Sequence, residues 1–406
     1  MKLKLFLLAT SAVALASCSS DAVVEDNAAG NAIQFSAAAG KASRAADYYC
    51  NANLPADFHV WASVNGKQYF ANETYAKGEG STYSITGGVE RYWPNEEISF
   101  FAAKNYDDNG FTWNPAAASK MTFTPALAAK DQKDLLYAYT VAKRGTGEAA
   151  KNFTAGKAKL NFRHALSQVV FKAQNKNKNI YVEISEVQVA NLKTTGTFTF
   201  PTNVTDGDAL NNKHDQSGVI ADNDPSFGKW GNLSTPAEFT TTGDFGPIAV
   251  PCNKKEGEVL KAVGPVNMTN NVGTATGEGS VKANEQQNKK LSLIVLPQEL
   301  GHAVYDKVNN KWEENKAYFK VTCLVKNVAK GDGLAATPDD VTLYNGDIYI
   351  PVKIDWQVGK KYIYTFVFSE KGHGGYDEHG NDVLIPIEFN VTVDDFADAK
   401  NNDINI

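Results

Sequence analysis

Cysteine is scarce in this sequence. The 406 residues include four cysteines, and no two of them form a Cys-x-x-Cys pair. A zinc or dithiol redox site of that kind is therefore excluded. The three cysteines after Cys18 are Cys50, Cys252 and Cys323. An odd number at such wide spacing is not a disulfide framework. Cys323 lies in an alternating apolar run, so we expect it to be buried as a small hydrophobic side chain.

Positive charge is in deficit as well. The 46 acidic residues outnumber the 40 basic ones, which gives a formal net charge of -6. No basic stripe with interleaved aromatic residues is present, so the sequence gives no support for a nucleic-acid partner. Beyond the N-terminus, no apolar run reaches the length of a transmembrane helix.

Motifs of catalysis are also missing. The sequence contains no Gly-x-Ser-x-Gly, no His-Glu-x-x-His and no P-loop. His164 and Ser167 lie close in the chain, but on an extended strand they face opposite sides, which favours a structural histidine. Acidic turns such as 222–224 lack EF-hand spacing, and His373 and His379 flank a glycine-rich loop. We therefore expect no enzyme activity, no cofactor and no metal site.

What is present begins with an export signal that ends at a cysteine. Two lysines precede an apolar run over residues 5–16, which is too short to span a bilayer. Small residues stand directly before Cys18, as in a lipoprotein box. We expect cleavage before Cys18 and acylation of its thiol, which ties the exported protein to a membrane. The alternative is an ordinary secretory signal with a chance cysteine.

Apolar and polar residues alternate along most of the remaining chain. This period of two predicts β-strands, and no long segment repeats apolar residues at helical spacing. The predicted strands and apolar runs cover 58–64, 97–103, 135–141, 162–172, 291–296, 319–325, 348–354 and 362–368. Turn clusters such as Asn65-Gly66 separate them. We therefore predict an all-β chain of packed sandwiches.

Two regions depart from this regular alternation. Between Ile180 and Val189 the apolar phase changes once, and one extra residue near Ser185-Glu186 predicts a β-bulge. The stretch 202–251 is rich in Asn, Asp, Gly and Thr, and 264–288 is similar. Both stretches are predicted to hold long surface loops.

The segment near the C-terminus alternates strictly. Its odd positions are all apolar, namely Ile385, Ile387, Phe389, Val391 and Val393. Its even positions are polar apart from Pro386, which lacks an N–H and so places the start of the strand at an edge or a bulge. Glycine, histidine and acidic residues over 372–382 would let this strand move away from its own domain. The alternative is an ordinary final strand.

In their order along the chain, several short motifs resemble the fimbrillin family, the type V pilins of Bacteroidetes. The first are the cysteine box at Cys18 and the strand at Ile33–Phe35, followed by Ser43-Arg44-Ala45. The others are 92–94 with 98–102, 132–136, 162–167, 296–298, Trp356 with 359–362, and 391–395. The resemblance spans nearly the whole chain and is poorest over 202–288.

The resemblance implies an architecture. It implies a signal peptide over 1–17 and a propeptide with a removable strand over 18–44. Two tandem transthyretin-like β-sandwich domains would follow, over 45–158 and 159–406, with a C-terminal donor strand at 383–393. The precursor would be an outer-membrane lipoprotein that carries palmitate on Cys18.

The resemblance also implies a scheme of assembly. A trypsin-like protease would cleave between Arg44 and Ala45. Loss of the strand that holds Ile33 and Phe35 would then open a groove. The C-terminal strand of a neighbouring subunit, with its apolar residues from 385 to 393, would fill that groove. The physical basis is general, because a strand added to an open sheet restores both backbone pairing and apolar burial.

The expected function is that of a structural subunit of a cell-surface fimbria that supports adhesion to host glycans or proteins. Because the donor-like strand is retained, the shaft is favoured, with other fimbrial subunits as partners. One alternative is a pilus tip adhesin, and another is a monomeric glycan-binding lipoprotein with aligned, exposed tryptophans. A β-sandwich glycosidase is a third alternative. The tryptophans are Trp61, Trp93, Trp113, Trp230, Trp312 and Trp356.

Overall fold

Strands dominate the computed structural model of this chain, which confirms the all-β prediction. The structure describes residues 32–39, 54–201, 228–241, 247–268, 292–334, 340–370, 374–385 and 387–395. Its helices are single 3-10 turns at Asp108–Gly110, Ala129–Asp131 and Gly147–Ala149. Within these residues, no helix is long and apolar enough to cross a membrane.

Ten of the described strands precede residue 165. They are β1 (Gln34–Ala39), β2 (Asp57–Val64), β3 (Lys67–Lys77), β4 (Thr82–Ile85), β5 (Ile98–Lys104), β6 (Phe111–Thr112), β7 (Lys120–Phe123), β8 (Leu136–Ala142), β9 (Phe153–Thr154) and β10 (Lys157–His164).

Twenty more described strands follow. The first ten are β11 (Ser167–Asn175), β12 (Ile180–Ala190), β13 (Lys193–Thr199), β14 (Lys229–Pro236), β15 (Phe239–Thr241), β16 (Ile248–Val250), β17 (Asn253–Glu256), β18 (Val259–Ala262), β19 (Val266–Asn267) and β20 (Leu293–Val295). The last ten are β21 (Glu299–Leu300), β22 (Tyr305–Asp306), β23 (Lys311–Trp312), β24 (Tyr318–Asn327), β25 (Val341–Pro351), β26 (Ile354–Asp355), β27 (Lys360–Phe368), β28 (Gly375–Tyr376), β29 (Asp382–Val383) and β30 (Ile387–Asp395).

The first sheet closes on itself. Its strand order is β1-β4-β3-β2-β5-β8-β10-β9, and β1 also pairs with β10. The β2–β3 hairpin turns at Asn65-Gly66, where both residues have positive φ values of 50° and 72°, as a type I′ turn requires. Inward-facing residues, Phe58, Phe100 and Phe162 among them, fill the interior as one core. This closure depends on β1.

A four-stranded sheet joins the two parts of the chain. Its order is β14-β13-β7-β6, so strands from before residue 130 pair with strands from after residue 190. Its core combines Met121 and Phe123 from β7 with Phe198 from β13. The first sheet and the later strands therefore share a packed junction.

The later strands form two facing sheets around one core. One sheet has the order β19-β11-β27-β30, and the other has the order β15-β12-β24-β25-β28-β29. Phe171 on β11 packs edge-on against Phe319 on β24, with ring centroids 5.4 Å apart. Cys323 lies in this core with 2% of its surface exposed, as predicted. Burial raises the pKa of its thiol to about 12.

Two details of the fold bear on the sequence predictions. The β-bulge is confirmed, because the pairing of β12 with β24 shifts register between Ile184 and Glu186. The stretch 202–251, which is predicted to hold long surface loops, contains β14, β15 and β16 in its described part. β14 and β15 lie at sheet edges, where one unpaired side relaxes the demand for alternating apolar residues.

The predicted domain boundary between residues 158 and 159 falls inside β10. The whole of β10 pairs within the first sheet, with β1, β8 and β9. The chain leaves that sheet after His164 and enters the later strands at Ser167, so the apolar run over 162–172 covers the end of β10 and the first part of β11.

Candidate assembly site

β1 lies between two strands that it alone connects. On one side it pairs in parallel with β10 over six residues, 34–39 against 157–162. On the other side it pairs antiparallel with β4 at residues 35–36. Further along that side, the N–H of Ile33 donates a hydrogen bond of 2.6 Å to the carbonyl of Arg91. Removal of β1 would leave unpaired backbone groups on both walls.

The inward side chains of β1 are buried in the core of the first sheet. The exposed fraction is 2% for Ile33, 0% for Phe35 and 7% for Ala37. A strand with three consecutive inward positions in the core contributes as an interior strand does, although it stands at the N-terminal end of the described chain.

Aromatic rings form the pocket of Phe35. Its ring centroid lies 4.7 Å from that of Tyr75, 5.0 Å from that of Phe100 and 6.2 Å from that of Phe58. All three contacts are edge-on, the geometry that aromatic quadrupoles favour. The pocket is therefore shaped for a planar ring.

Tyr75 lies beneath this strand and is itself fully buried. Burial raises the pKa of its phenol well above the usual range, and the nearby Glu73 carboxylate raises it further. The Phe35 ring lies edge-on, 4.7 Å between centroids, so we expect the pKa of Tyr75 to fall when β1 leaves.

An ion pair supports the wall that receives Ile33. Arg91 donates a hydrogen bond of 2.8 Å from Nε to Oε1 of Glu73, and its Nη2 contacts the same oxygen. The guanidinium also lies 5.9 Å from the ring centroid of Phe70. These contacts hold the backbone whose carbonyl accepts the N–H of Ile33.

The C-terminal strand β30 occupies an edge position. It pairs antiparallel with β27 alone, over nine residue pairs. Ile385 and Ile387 are buried, and Phe389 packs against the core with its ring centroid 5.9 Å from that of Phe319. Val391 and Val393, by contrast, are 50% and 51% exposed. The last part of β30 thus presents apolar side chains that its own sheet does not cover.

The predicted donor segment begins before this strand. Val383 belongs to β29, which pairs with β28 in the facing sheet, and β30 begins only at Ile387. The described strand therefore carries four of the five predicted anchors, and Ile385 precedes it as a buried residue.

The sequence profile of the fimbrillin-like family matches residues 22–227, just over half of the chain. The chain belongs to this family. Membership supports a fimbrial structural or adhesion role and a place at the cell surface. The matched residues include the whole closed sheet and its strand β1.

The solved structures that align with this chain include fimbrial and proposed cell adhesion proteins of Bacteroides and Parabacteroides species. A fimbrial protein from Bacteroides vulgatus is 12% identical, with 89% of this fimbrillin-like chain and 99% of that chain covered and a TM-score of 0.49. A proposed cell adhesion protein from Parabacteroides distasonis is 12% identical, with 90% and 99% covered and a TM-score of 0.43. One from Bacteroides ovatus is 13% identical, with 90% and 97% covered and a TM-score of 0.42. No curated protein matches the chain.

Two predicted processing sites lie outside the described residues. Cys18, the expected lipid site, precedes residue 32, and the expected cleavage site at Arg44 and Ala45 lies between residues 39 and 54. Their order relative to β1 is nevertheless fixed by the sequence. A cut after Arg44 would separate β1 from every later strand of this fimbrillin-like chain.

The histidines that were considered as candidate catalytic or metal-binding residues form structural hydrogen bonds where the structure describes them. Nδ1 of the buried His164 lies 2.9 Å from Oδ2 of Asp134. The hydroxyl of Ser167 donates to the carbonyl of Gln357 at 2.8 Å, so these two residues engage different groups. His379 lies in a turn, where its N–H donates to Oδ1 of Asp377, and His373 lies outside the described residues. The described residues contain no group of three or more His, Cys, Asp or Glu placed to hold a metal.

The tryptophans do not form an exposed row. All six lie in the described residues; Trp61, Trp93 and Trp356 are buried, and the other three are half-buried. Trp312 stacks on Tyr349 at 5.6 Å between centroids, which is packing within a partly buried cluster. The feature expected of the glycan-binding alternative is therefore not observed.

Sequence reasoning missed the walls of the groove. Strand β10 and the aromatic pocket residues Phe58, Tyr75 and Phe100 were not assigned to the site. Their alternation marks them as core, but a period of two does not say which strand pairs with which. Parallel pairing of β1 with β10, more than 100 residues later, leaves no local signal in the sequence.

Proposed function

We propose that this chain is a structural subunit of a cell-surface fimbria, a type V pilus, that assembles by donor-strand exchange. A trypsin-like protease cuts after Arg44, β1 leaves the closed sheet, and the C-terminal strand of a neighbouring subunit takes its place. Because that contact is head-to-tail, it propagates as a filament. The chain acts in structure and adhesion, without catalysis.

One observation carries this proposal. The first sheet closes only through β1, and β1 is the one strand of that sheet on the N-terminal side of Arg44. A single cut therefore breaks the covalent connection between the rest of the sheet and β1, the strand that closes it. The open sheet exposes an aromatic pocket and two unpaired edges, a surface that a strand can repair by β-augmentation.

The C-terminal strand would form more backbone hydrogen bonds and bury more apolar surface in the groove than it does on β27. On β27 it forms a ladder on one side only, whereas the groove of β1 has a wall on each side. Each added backbone hydrogen bond contributes about 0.5–1.5 kcal/mol net. Val391 and Val393 are half-exposed on β30, and covering an aliphatic side chain fully is worth about 1.5–3 kcal/mol.

The proposal includes a position and a route. Acyl chains on Cys18 hold the precursor at the outer membrane until the cut, which releases the mature subunit from its lipid. Both a groove and a donor segment are present in one chain, so the subunit accepts one neighbour and donates to the next. That combination suits the shaft rather than the end of the fibre.

A matched pair of variants tests the donor assignment. Phe389→Asp places a charge on the apolar face of the donor strand, and Asn390→Asp places the same charge on its exposed face. We expect Phe389→Asp to reduce fibre formation at least tenfold by electron microscopy and by ladders on mildly denaturing gels. We expect Asn390→Asp to leave fibre length and number near wild type.

The comparison requires that both variants stay folded. Near-ultraviolet circular dichroism and urea unfolding of the uncleaved monomers check this for both parts of the chain, because residue 389 lies outside the core of the first sheet but packs against the core of the later sheets. Fibres of normal abundance from folded Phe389→Asp protein would show that this segment is an ordinary final strand.

A further inference from the structure

We infer that the donor strand enters the groove in the same direction and register as β1, with Ile387 and Phe389 in the sites of Ile33 and Phe35. The donor is a second copy of this chain. The inference rests on the proposed strand exchange and adds the residue-by-residue fit. The donor would run parallel to β10 and antiparallel to β4, as β1 does.

The first support is a pair of similar tripeptides, which have Ile and Phe at the same spacing. β1 and its preceding residue give Ile-Gln-Phe at 33–35, and the donor gives Ile-Glu-Phe at 387–389. The groove buries Ile33 to 2% and Phe35 to 0%, and the second site is enclosed by three aromatic rings. A shift of the donor by two residues would place Phe389 in the Ile33 or Ala37 site and an aliphatic side chain in the ring pocket. Both the overfilled site and the cavity would destabilise the joint relative to the inferred register.

Pro386 selects among the remaining arrangements. In the inferred register it takes the place of Ala32, before the ladder with β10, which begins at Gln34. If the donor ran in the opposite direction with Phe389 still in the ring pocket, Pro386 would fall at Ala38, inside that ladder. A shift that brings Ile387 to the ring pocket would place it at Gln34, also inside. Proline has no N–H for a ladder bond and is disfavoured at both positions.

In this register the donor strand also supplies the N–H groups that the carbonyls on the β4 side of the groove accept. The N–H of Ile33 donates to the Arg91 carbonyl at 2.6 Å, and the N–H of Ala37 donates to the Ser81 carbonyl at 3.2 Å. In the inferred register, residues 387 and 391 take these positions, and both have an N–H. The proline therefore removes none of these bonds.

Charge agrees with the same register. Gln34 is paired in register with Lys157 on β10, so Glu388 would lie beside that lysine. Opposite charges on neighbouring strands favour pairing. Val391 would replace Ala37, so the half-exposed valine of β30 would enter an inward site that is 7% exposed.

Cysteine pairs in the full chain test the register directly. Thr82 on β4 is opposite Ser36 on β1, an antiparallel pair close enough for a disulfide. In the inferred register Asn390 takes the place of Ser36. Thr82→Cys is therefore combined in turn with Asn390→Cys, Glu388→Cys or Thr392→Cys. Fibres from each are run on non-reducing gels, with each single-cysteine variant as a control for the native thiols.

We expect the Asn390 pair to link subunits at least tenfold more than the other two pairs. Preferential linkage of Glu388 or Thr392 would show that exchange occurs in another register or direction, which overturns this inference and leaves the proposed function standing. Intact fibres with no linkage between subunits in any pair would overturn both.

Discussion

Replacement of Phe35 by alanine tests whether β1 is a full member of the first core. The ring is 0% exposed and contacts three other aromatic rings, so its whole surface is buried against protein atoms. Truncation of such a phenylalanine costs about 3–5 kcal/mol, from lost transfer free energy and the cavity that remains. Ser36→Ala, on the outward face of the same strand, is expected to change stability by no more than about 0.5 kcal/mol.

Urea unfolding of the uncleaved chain measures this difference. With an m-value of about 2 kcal/mol per M, a loss of about 4 kcal/mol lowers the midpoint for the first sheet by about 2 M. The same loss raises the population with β1 detached by about 10²- to 10³-fold, because each 1.4 kcal/mol is a factor of ten. Proteolysis of native protein after Arg44 should then release the β1 fragment correspondingly faster.

The result that refutes this reasoning is a small shift. If Phe35→Ala lowers the urea midpoint no more than Ser36→Ala does, the ring pocket does not hold β1 tightly. The closure of the sheet through β1 would then contribute little free energy.

Other predictions concern titration and processing. Removal of β1 is expected to uncover Tyr75, so the raised pKa of its phenol should fall towards 10; the difference between the alkaline titrations of wild type and Tyr75→Phe checks this. Below pH 10 the Tyr75 phenol is protonated in both the folded and the unfolded chain. As the pH rises past 10 the phenol ionises in the unfolded chain first, so the free energy of unfolding falls. Cys18→Ala should abolish acylation, and lipid labelling that persists in this variant would show that Cys18 is not the lipid site. Arg44→Ala should leave the chain uncut. Fibres whose N-terminal sequence begins upstream of residue 44 would show that cleavage after Arg44 is not part of assembly.

The sequence predicts individual strands well because alternation reports burial directly. The runs at 58–64, 97–103 and 319–325 correspond to β2, β5 and β24. The bulge near Ser185-Glu186 is predicted for the same reason, since one extra residue reverses the inward phase. These features are local, and each needs only the side chains of its own segment.

The sequence predicts pairing poorly because pairing is not local. Nothing within 34–39 indicates that the strand pairs in parallel with 157–162. Strand β14 has the sequence Lys-Trp-Gly-Asn-Leu-Ser-Thr-Pro and shows no clear period, yet its neighbour β13 orders it as an edge strand. The candidate groove could be anticipated from the family resemblance, but its wall and its ring pocket required the structure.

The attachment of β1 through a single segment has a consequence for equilibrium. While residues 40–56 connect it to β2, a detached β1 remains at an effective concentration of the order of mM beside its own groove. No donor strand at cellular subunit concentrations competes easily with that. A cut after Arg44 would make β1 a separate peptide, and in the proposed route that peptide keeps the acylated Cys18 and stays at the membrane while the mature subunit leaves it. Chain scission would thus set the direction of assembly by separating β1 from its groove, without any change in the contacts that the groove offers.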